Sequence, residues 1–184
     1  MLLRSRWSHR AAAGQLHRMT DKEDTYHPAV KNGMTLHHFQ ERILLGHGEA
    51  AFQTAGALVT SLEMHRRAGL RVASSAPTVS VGGLVVLGFR VGPLQILAPC
   101  RISETWDSPT TAGFGYVTLP GHPECGYERF LVERTVKDEV FLEIRSRSRT
   151  GSTLLRPLSP LNRAFQRRIT RNYQRAVQDA VAHG

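Results

Sequence analysis

The chain is 184 residues long and carries 24 Lys and Arg against 15 Asp and Glu, a formal net charge of +9. That length lets one domain bury about 70% of its unfolded surface, and the two cysteines, Cys100 and Cys125, are too few and too far apart for a disulfide scaffold or a metal pair, so they read as reduced thiols of a soluble, cytoplasmic protein. The charge does not mark a nucleic-acid binder: four arginines fall in the first twenty residues, leaving 20 basic against 15 acidic residues over the other 164, and 21 arginines against 3 lysines, scattered along the chain, form no groove.

The first twenty residues contain no acid and lack the apolar run of a secretory signal. They read either as an Arg-rich targeting peptide or, the preferred reading, as translation upstream of a start at Met19. On both readings residues 1–24 are expected to be a disordered leader and residues 25–184 a single domain.

Leu36–Leu45 is rich enough in bulky apolar residues for a first strand, punctuated by Gly46 and Gly48. Phe52, Ala55, Val59 and Leu62 then recur at spacings of three and four, which predicts a helix with Glu49 in its first turn, Arg66 and Arg67 in its last, and Gly69 as its stop. Six β-rich runs follow, at Leu70–Ser74, Leu84–Val91, Leu94–Trp106, Ala112–Leu119, Gly126–Arg134 and Val140–Ser148. Their linkers are too short for helical crossovers, so the strands are expected to pair antiparallel. In the last run Val140, Leu142, Ile144 and Ser146 alternate with Phe141, Glu143, Arg145 and Arg147, which buries one face and wets the other. The apolar stretch from Val79 to Cys100 is broken by Arg90, Pro93, Gln95 and Pro99 and falls short of the roughly 20 apolar residues of a membrane-spanning helix.

Ser159-Pro160 opens a final helix that runs to about Ala182, with Leu161, Phe165, Ile169, Tyr173 and Ala176 as its apolar stripe. Arg163, Arg167, Arg171 and Arg175 repeat every four residues on another face. A solvated helix face is the ordinary reading of such a row, and a site for nucleic acid or acidic lipid is the sharper alternative.

The order strand, helix, six strands, long helix is that of the α+β helix-grip architecture of START-like and pollen-allergen-like proteins. It implies a curved antiparallel sheet of about seven strands around the C-terminal helix, with a space between them that commonly holds an apolar ligand. The segment Ala112-Gly-Phe-Gly-Tyr-Val-Thr-Leu-Pro-Gly-His-Pro-Glu-Cys-Gly-Tyr-Glu-Arg-Phe130 closely resembles the signature of an uncharacterised family, domain of unknown function nineteen-ninety. The resemblance runs from about Tyr26 to Val177. It includes Gly46-His47-Gly48-Glu49-Ala50, the stretch Met64 to Leu70, Arg90-Val-Gly-Pro-Leu94, Ala98-Pro-Cys-Arg101, and Gln166, Thr170, Arg171 and Tyr173 in the last helix. Two departures stand out: Lys137-Asp138-Glu139 where members usually have Asp-Gly, and Arg147-Ser-Arg-Thr150 where they usually have Phe-Ser-Arg-Pro. If position 147 faces the cavity, the arginine alters the ligand or reduces the pocket. The resemblance carries no catalytic residues with it.

His122 and Glu124 lie in a Pro-Gly-His-Pro-Glu turn, and an imidazole beside a carboxylate is the minimum equipment for acid–base catalysis. A purely structural turn, with His122 bonded to backbone and Glu124 paired to an arginine, explains the same residues. Tyr116 and Glu128 on the flanking strands, with His65 and Arg66 at a helix end, are candidates for a polar mouth over an apolar cavity. His37 and His38 point to opposite faces of a strand and do not make a metal site, and no His-Glu-x-x-His pattern occurs. Gly-rich phosphate loops and a Gly-x-Ser-x-Gly elbow are absent as well, and Cys100 reads as a small packing residue. No cofactor is expected. The leading expectation is a binding module for an apolar or amphipathic small molecule. The alternatives are a cyclase, dehydratase or hydrolase-like enzyme using His122 and Glu124, and an anionic-surface binder using the arginine row; the oligomeric state is left open.

Overall fold

A computed structural model describes residues 2–4, 9–25, 37–91, 94–150 and 159–184. In chain order the elements are β1 (Leu2–Arg4), α1 (His9–Met19), β2 (His37–His47), α2 (Gly48–Thr60), α3 (Glu63–Arg67), β3 (Arg71–Ser74), β4 (Leu84–Val91), β5 (Leu94–Asp107), β6 (Thr111–Thr118), β7 (Glu124–Arg134), β8 (Glu139–Thr150) and α4 (Ser159–Ala182). Seven strands form one antiparallel sheet in the order β2-β8-β7-β6-β5-β4-β3, and β1 pairs with β5 off that path. The first of the seven closes on the last: β2 pairs with β8 from His37 opposite Ser148 to His47 opposite Glu139. Sheet and C-terminal helix thus stand in the expected helix-grip arrangement.

The alternation along β8 decides which face is inside. Val140, Leu142 and Ile144 are buried against the core that also takes Phe114 from β6, Phe130 and Val132 from β7, and Tyr173 and Val177 from α4. Arg147 lies on the opposite, exposed side, so the departure from the family pattern at that position does not touch the interior. At the β7–β8 hairpin Asp138 takes the left-handed conformation (φ 64) that a glycine would adopt freely, a region in which Asp is tolerated better than most residues. The outer face carries an ion network centred on Glu143, which accepts from Arg129, from Arg145 at 3.4 Å and from Gln40 at 2.9 Å.

Two differences from the sequence expectation have physical causes. The single helix expected from Glu49 to Arg67 is broken at Leu62, which sits at φ 62, ψ 12. A leucine there costs about 1–2 kcal/mol of backbone strain. The break turns Leu62, Met64 and His65 into the core, where none is more than 1% exposed. The second concerns residues 1–24, expected to be disordered. Residues 9–19 form α1, with Leu16 and Met19 packed on Leu84 of β4 and on Leu119. Arg101 from β5 grips the end of that helix, pairing with Asp24 at 3.0 Å and donating to the carbonyls of Met19, Thr20 and Lys22. The anchor that composition seemed to deny thus comes from β4, β5 and the residue that follows β6.

Gly113 on β6 has the least room among the described glycines: a Cβ there would lie 2.1 Å from the carbonyl oxygen of Phe130. Gly113→Ala is therefore expected to destabilise the protein by about 2–3 kcal/mol, as overpacking against backbone does. Urea unfolding would check this, and an unchanged midpoint would mean that the two strands separate freely at this point.

Candidate functional site

The turn between β6 and β7 is built by Leu119-Pro120-Gly121, with Gly121 at φ 95 and the His122 N–H donating to the Leu119 carbonyl at 3.0 Å. It holds the His122 ring with its Nδ1 2.9 Å from both the backbone nitrogen and the backbone oxygen of Glu124. A bare Nδ1 accepts from that N–H, and a protonated one donates to that carbonyl, so the turn satisfies either state. Among the described residues no hydrogen bond reaches Nε2. The imidazole and the Glu124 carboxylate do not form the directly bonded acid–base pair that their spacing suggested; backbone links them.

Strand register places Tyr116 directly opposite Glu128. Both side chains point inward, and the Tyr116 hydroxyl donates to Glu128 Oε2 at 2.5 Å. A cavity of about 110 Å³ opens over this pair between the sheet and α4. Its apolar wall comes from Phe39 of β2, Leu70, Leu87 and Phe89 of β4, Ala98 of β5 and Ile169 of α4. Its polar lining is Tyr116, Glu128, His122, Glu124, Ser146, Thr170 and Tyr173, with Pro123 between the two turn residues. Tyr173 is only 2% exposed, and among the described residues nothing accepts from or donates to its hydroxyl.

Desolvation dominates the electrostatics. It lifts the Glu128 carboxyl to about 7, against the Tyr116 hydrogen bond and with help from the Glu124 charge. Desolvation likewise lowers His122 to about 4, so the ring is neutral at pH 7. The Tyr116 and Tyr173 hydroxyls are pushed well up by burial first and then by the charge of Glu128.

Of the four residues expected to form the mouth, two line the cavity and two do not. His65 is fully buried behind it, its ring centroid 4.8 Å from that of Tyr173 and 4.9 Å from that of Phe130. Neither ring nitrogen has a partner among the described residues, and burial, with the charge of Arg66, pushes the imidazole down to about 3. Arg66 is exposed, donating to the Ser61 carbonyl at 2.8 Å and facing Glu63 at 3.5 Å. The break at Leu62 explains both placements, because it turns position 65 inward and leaves position 66 outside. Arg167, Arg171 and Arg175 are exposed on α4 and do not line the cavity, while the side chain of Arg163 lies outside those described. His37 and His38 are exposed, and among the described residues no three His, Cys, Asp or Glu side chains converge as a metal site. The sequence reading passed over Tyr173 as part of an apolar stripe; the available signal was a tyrosine at a position where phenylalanine would pack equally well.

The family model described as a domain of unknown function (DUF1990) matches residues 21–176. The chain belongs to the DUF1990 family. A UPF0548 protein of Deinococcus radiodurans is 36% identical over 152 residues, 77% of each chain. Among solved structures, Ara h 8.0201 aligns with a TM-score of 0.58 at 9% identity, over 82% of this chain and all of that one. Norcoclaurine synthase from Thalictrum flavum, solved with dopamine and hydroxybenzaldehyde, gives 0.55 at 12% identity over 82% and 88%. Major latex-like protein 151 from Panax ginseng gives 0.52 at 12% over 78% and 96%. These identities carry the helix-grip fold alone. Within this DUF1990 chain the signature segment 112–130 is the β6–turn–β7 hairpin, and it supplies Tyr116, His122, Pro123, Glu124 and Glu128 to the cavity.

The raised Glu128 pKa has a defined linkage. Its stabilising contribution is fully present below the ordinary value of 4.5 and is lost as pH rises through about 7. Glu128→Gln keeps an oxygen for Tyr116 and removes that loss. Its stability relative to the parent should therefore grow from pH 5 to pH 8, read by urea unfolding at each pH. A difference that stays flat would place Glu128 among ordinary solvated carboxylates.

Proposed function

We propose that this chain is a small-molecule binding module whose ligand is a compact apolar or amphipathic compound. The observation that carries the reading is the cavity of about 110 Å³ between sheet and α4, walled by Phe39, Phe89, Leu70, Leu87 and Ile169 and tipped with convergent hydroxyl and carboxyl groups. An apolar cavity of about 150 Å³ accepts benzene, so this space suits a ligand part of roughly one ring, with the remainder in the mouth. Support also comes from the fold, since the similar norcoclaurine synthase was solved holding two small aromatic compounds. Among the described residues no helix is long and apolar enough to cross a membrane. Both cysteines are buried and unbridged, which supports a reducing compartment such as the cytoplasm.

Mass spectrometry of small molecules extracted from the purified chain tests the proposal. One enriched compound is expected, and it should vanish in Ala98→Leu, which fills the wall without adding a polar atom, while the thermal midpoint stays level or rises. An equal yield of the compound from both proteins would move its site elsewhere.

One observation favours an enzyme on the same scaffold: Glu128, at about 7, shares the cavity with a neutral His122. A carboxyl that changes state near neutral pH is suited to moving protons on a bound molecule, and in this reading Glu128 replaces Glu124 as partner to His122. The chain should then exchange carbon-bound hydrogen of its ligand in deuterated water, with both His122→Ala and Glu128→Gln slowing the exchange at least tenfold. Exchange at the parent rate in both variants would leave binding alone.

A further inference from the structure

Two hydrogen-bonding groups of the cavity have unused capacity. Tyr173 of α4 is 2% exposed and lines the cavity, yet among the described residues its hydroxyl has no partner. Its ring is clamped by His65, 4.8 Å away between centroids, and edge-on by Phe130 at 5.4 Å and 89°, so the hydroxyl is held in one place. Glu128 faces the same space from β7. The Tyr116 hydroxyl donates to its Oε2 at 2.5 Å, and among the described residues Oε1 carries no hydrogen bond. A buried hydroxyl without an acceptor is unfavourable, so a ligand oxygen that takes it up is favoured at that point.

Resting on the binding-module reading above, we propose that the ligand is a small ketone or aldehyde, its carbonyl oxygen accepting from the Tyr173 hydroxyl and from the protonated Glu128 carboxyl, its apolar body against Phe39, Leu87 and Ile169. A carbonyl oxygen has two lone pairs and no proton of its own, which matches a pair of donors. With Tyr116 bonded to Oε2, the carboxyl is oriented so that Oε1 carries the proton and gives it to the ligand. A carboxylic acid kept neutral by burial, with a tyrosine beside it, is suited to holding an oxygen on which negative charge collects. An alcohol brings a proton that needs a further acceptor, so it fits the two donors less well.

The reading carries a pH dependence of defined sign. Glu128 is faced by Tyr116 from β6, Cys100 from β5, Tyr173 from α4, and His122 and Glu124 from the turn and the start of β7. On β8 the uncharged Ser146 lies opposite it, while Arg129 and Arg145 meet Glu143 on the outer face. His65 of α3 stands behind Tyr173. Burial holds both tyrosines and Cys100 protonated, and both imidazoles stay neutral between pH 6 and pH 8; the charge of Glu124 adds to the lift on Glu128. Since the Glu128 carboxyl titrates at about 7, roughly nine tenths of it is protonated at pH 6 and a tenth at pH 8. Ionised, it has no proton to give and repels the carbonyl oxygen, so ketone affinity should fall about tenfold between those two pH values.

Titration calorimetry with acetophenone, the alcohol made by reducing it, and isopropylbenzene, which share one ring and a branched carbon and differ in the oxygen, decides the matter. Acetophenone should weaken about tenfold from pH 6 to pH 8, whereas the alcohol, whose hydroxyl can turn to donate to the ionised carboxyl, and the hydrocarbon should change by less than about threefold. Glu128→Gln keeps an N–H donor at every pH, so it should bind acetophenone equally at both pH values and near the affinity of the parent at pH 6. Tyr173→Phe should weaken acetophenone about fivefold and leave isopropylbenzene unchanged; should that variant fail to fold, the parent pH profile and Glu128→Gln decide. Acetophenone binding that is flat with pH, or a fall that survives in Glu128→Gln, overturns the carbonyl proposal, and binding of the other two probes then leaves the binding module standing. Failure of all three to bind overturns the carbonyl proposal, and the binding module falls with it only if extraction of the purified chain also yields no enriched compound.

Discussion

The contact on which the rest of the fold depends is the edge-on meeting of Phe130 in the middle of β7 with Tyr173 on α4, ring centroids 5.4 Å apart at 89°. It joins the centre of the sheet to the last helix, and both neighbours of the contact are consequences of it. On one side Phe114 and the His65 ring close around the pair to make a dry aromatic core. On the other side the Tyr173 hydroxyl reaches past that core and helps to floor the cavity. An edge-to-face pair fixes angle as well as distance, so the helix is held at a definite height above the strands. A flat stack would let α4 settle and fill the space with aliphatic side chains.

Much of this was readable from the chain. Alternation along Val140–Ser146 determined the inner face, short linkers determined antiparallel pairing, and the 112–130 segment marked the hairpin that carries most of the polar lining. What stayed hidden depends on contacts between distant residues. The break at Leu62 has no local signal, since leucine favours helix; it is stabilised by the burial of Leu62, Met64 and His65 in a core assembled by other elements. The docking of α1 was invisible for the same reason: Arg101, more than seventy residues away from the carbonyls it grips, supplies what composition lacks. His65 and Arg66 were read together because they are adjacent, and the helix break separated them.

The arrangement of polar groups follows from strand register with little further tuning. Tyr116 lies opposite Glu128, and Glu128 opposite Ser146, so three neighbouring strands each present one polar tip to the same point. The arginines that would ordinarily accompany so many carboxylates lie one residue out of phase and are spent on Glu143 outside. A pleated sheet thus separates by parity: Glu128 faces the interior, while Arg129, Arg145 and their partner Glu143 face out. The inner carboxyl is left to be tuned by burial and a tyrosine.

The pairing of β2 with β8 also bears on how the molecule comes into being. The strand nearest the start of the sheet has only one sheet neighbour, and that neighbour begins at Glu139, so during synthesis β2 emerges long before its partner. β3 to β7 can zip as successive hairpins while the sheet still ends at two bare edges. Contacts so far apart along the chain make for slow folding and a long exposure of unpaired strand, and the helix that covers the interior, α4, follows all the strands in the chain. The cavity is therefore roofed only after every strand of the sheet has been made, and a ligand present before α4 docks has its widest route in.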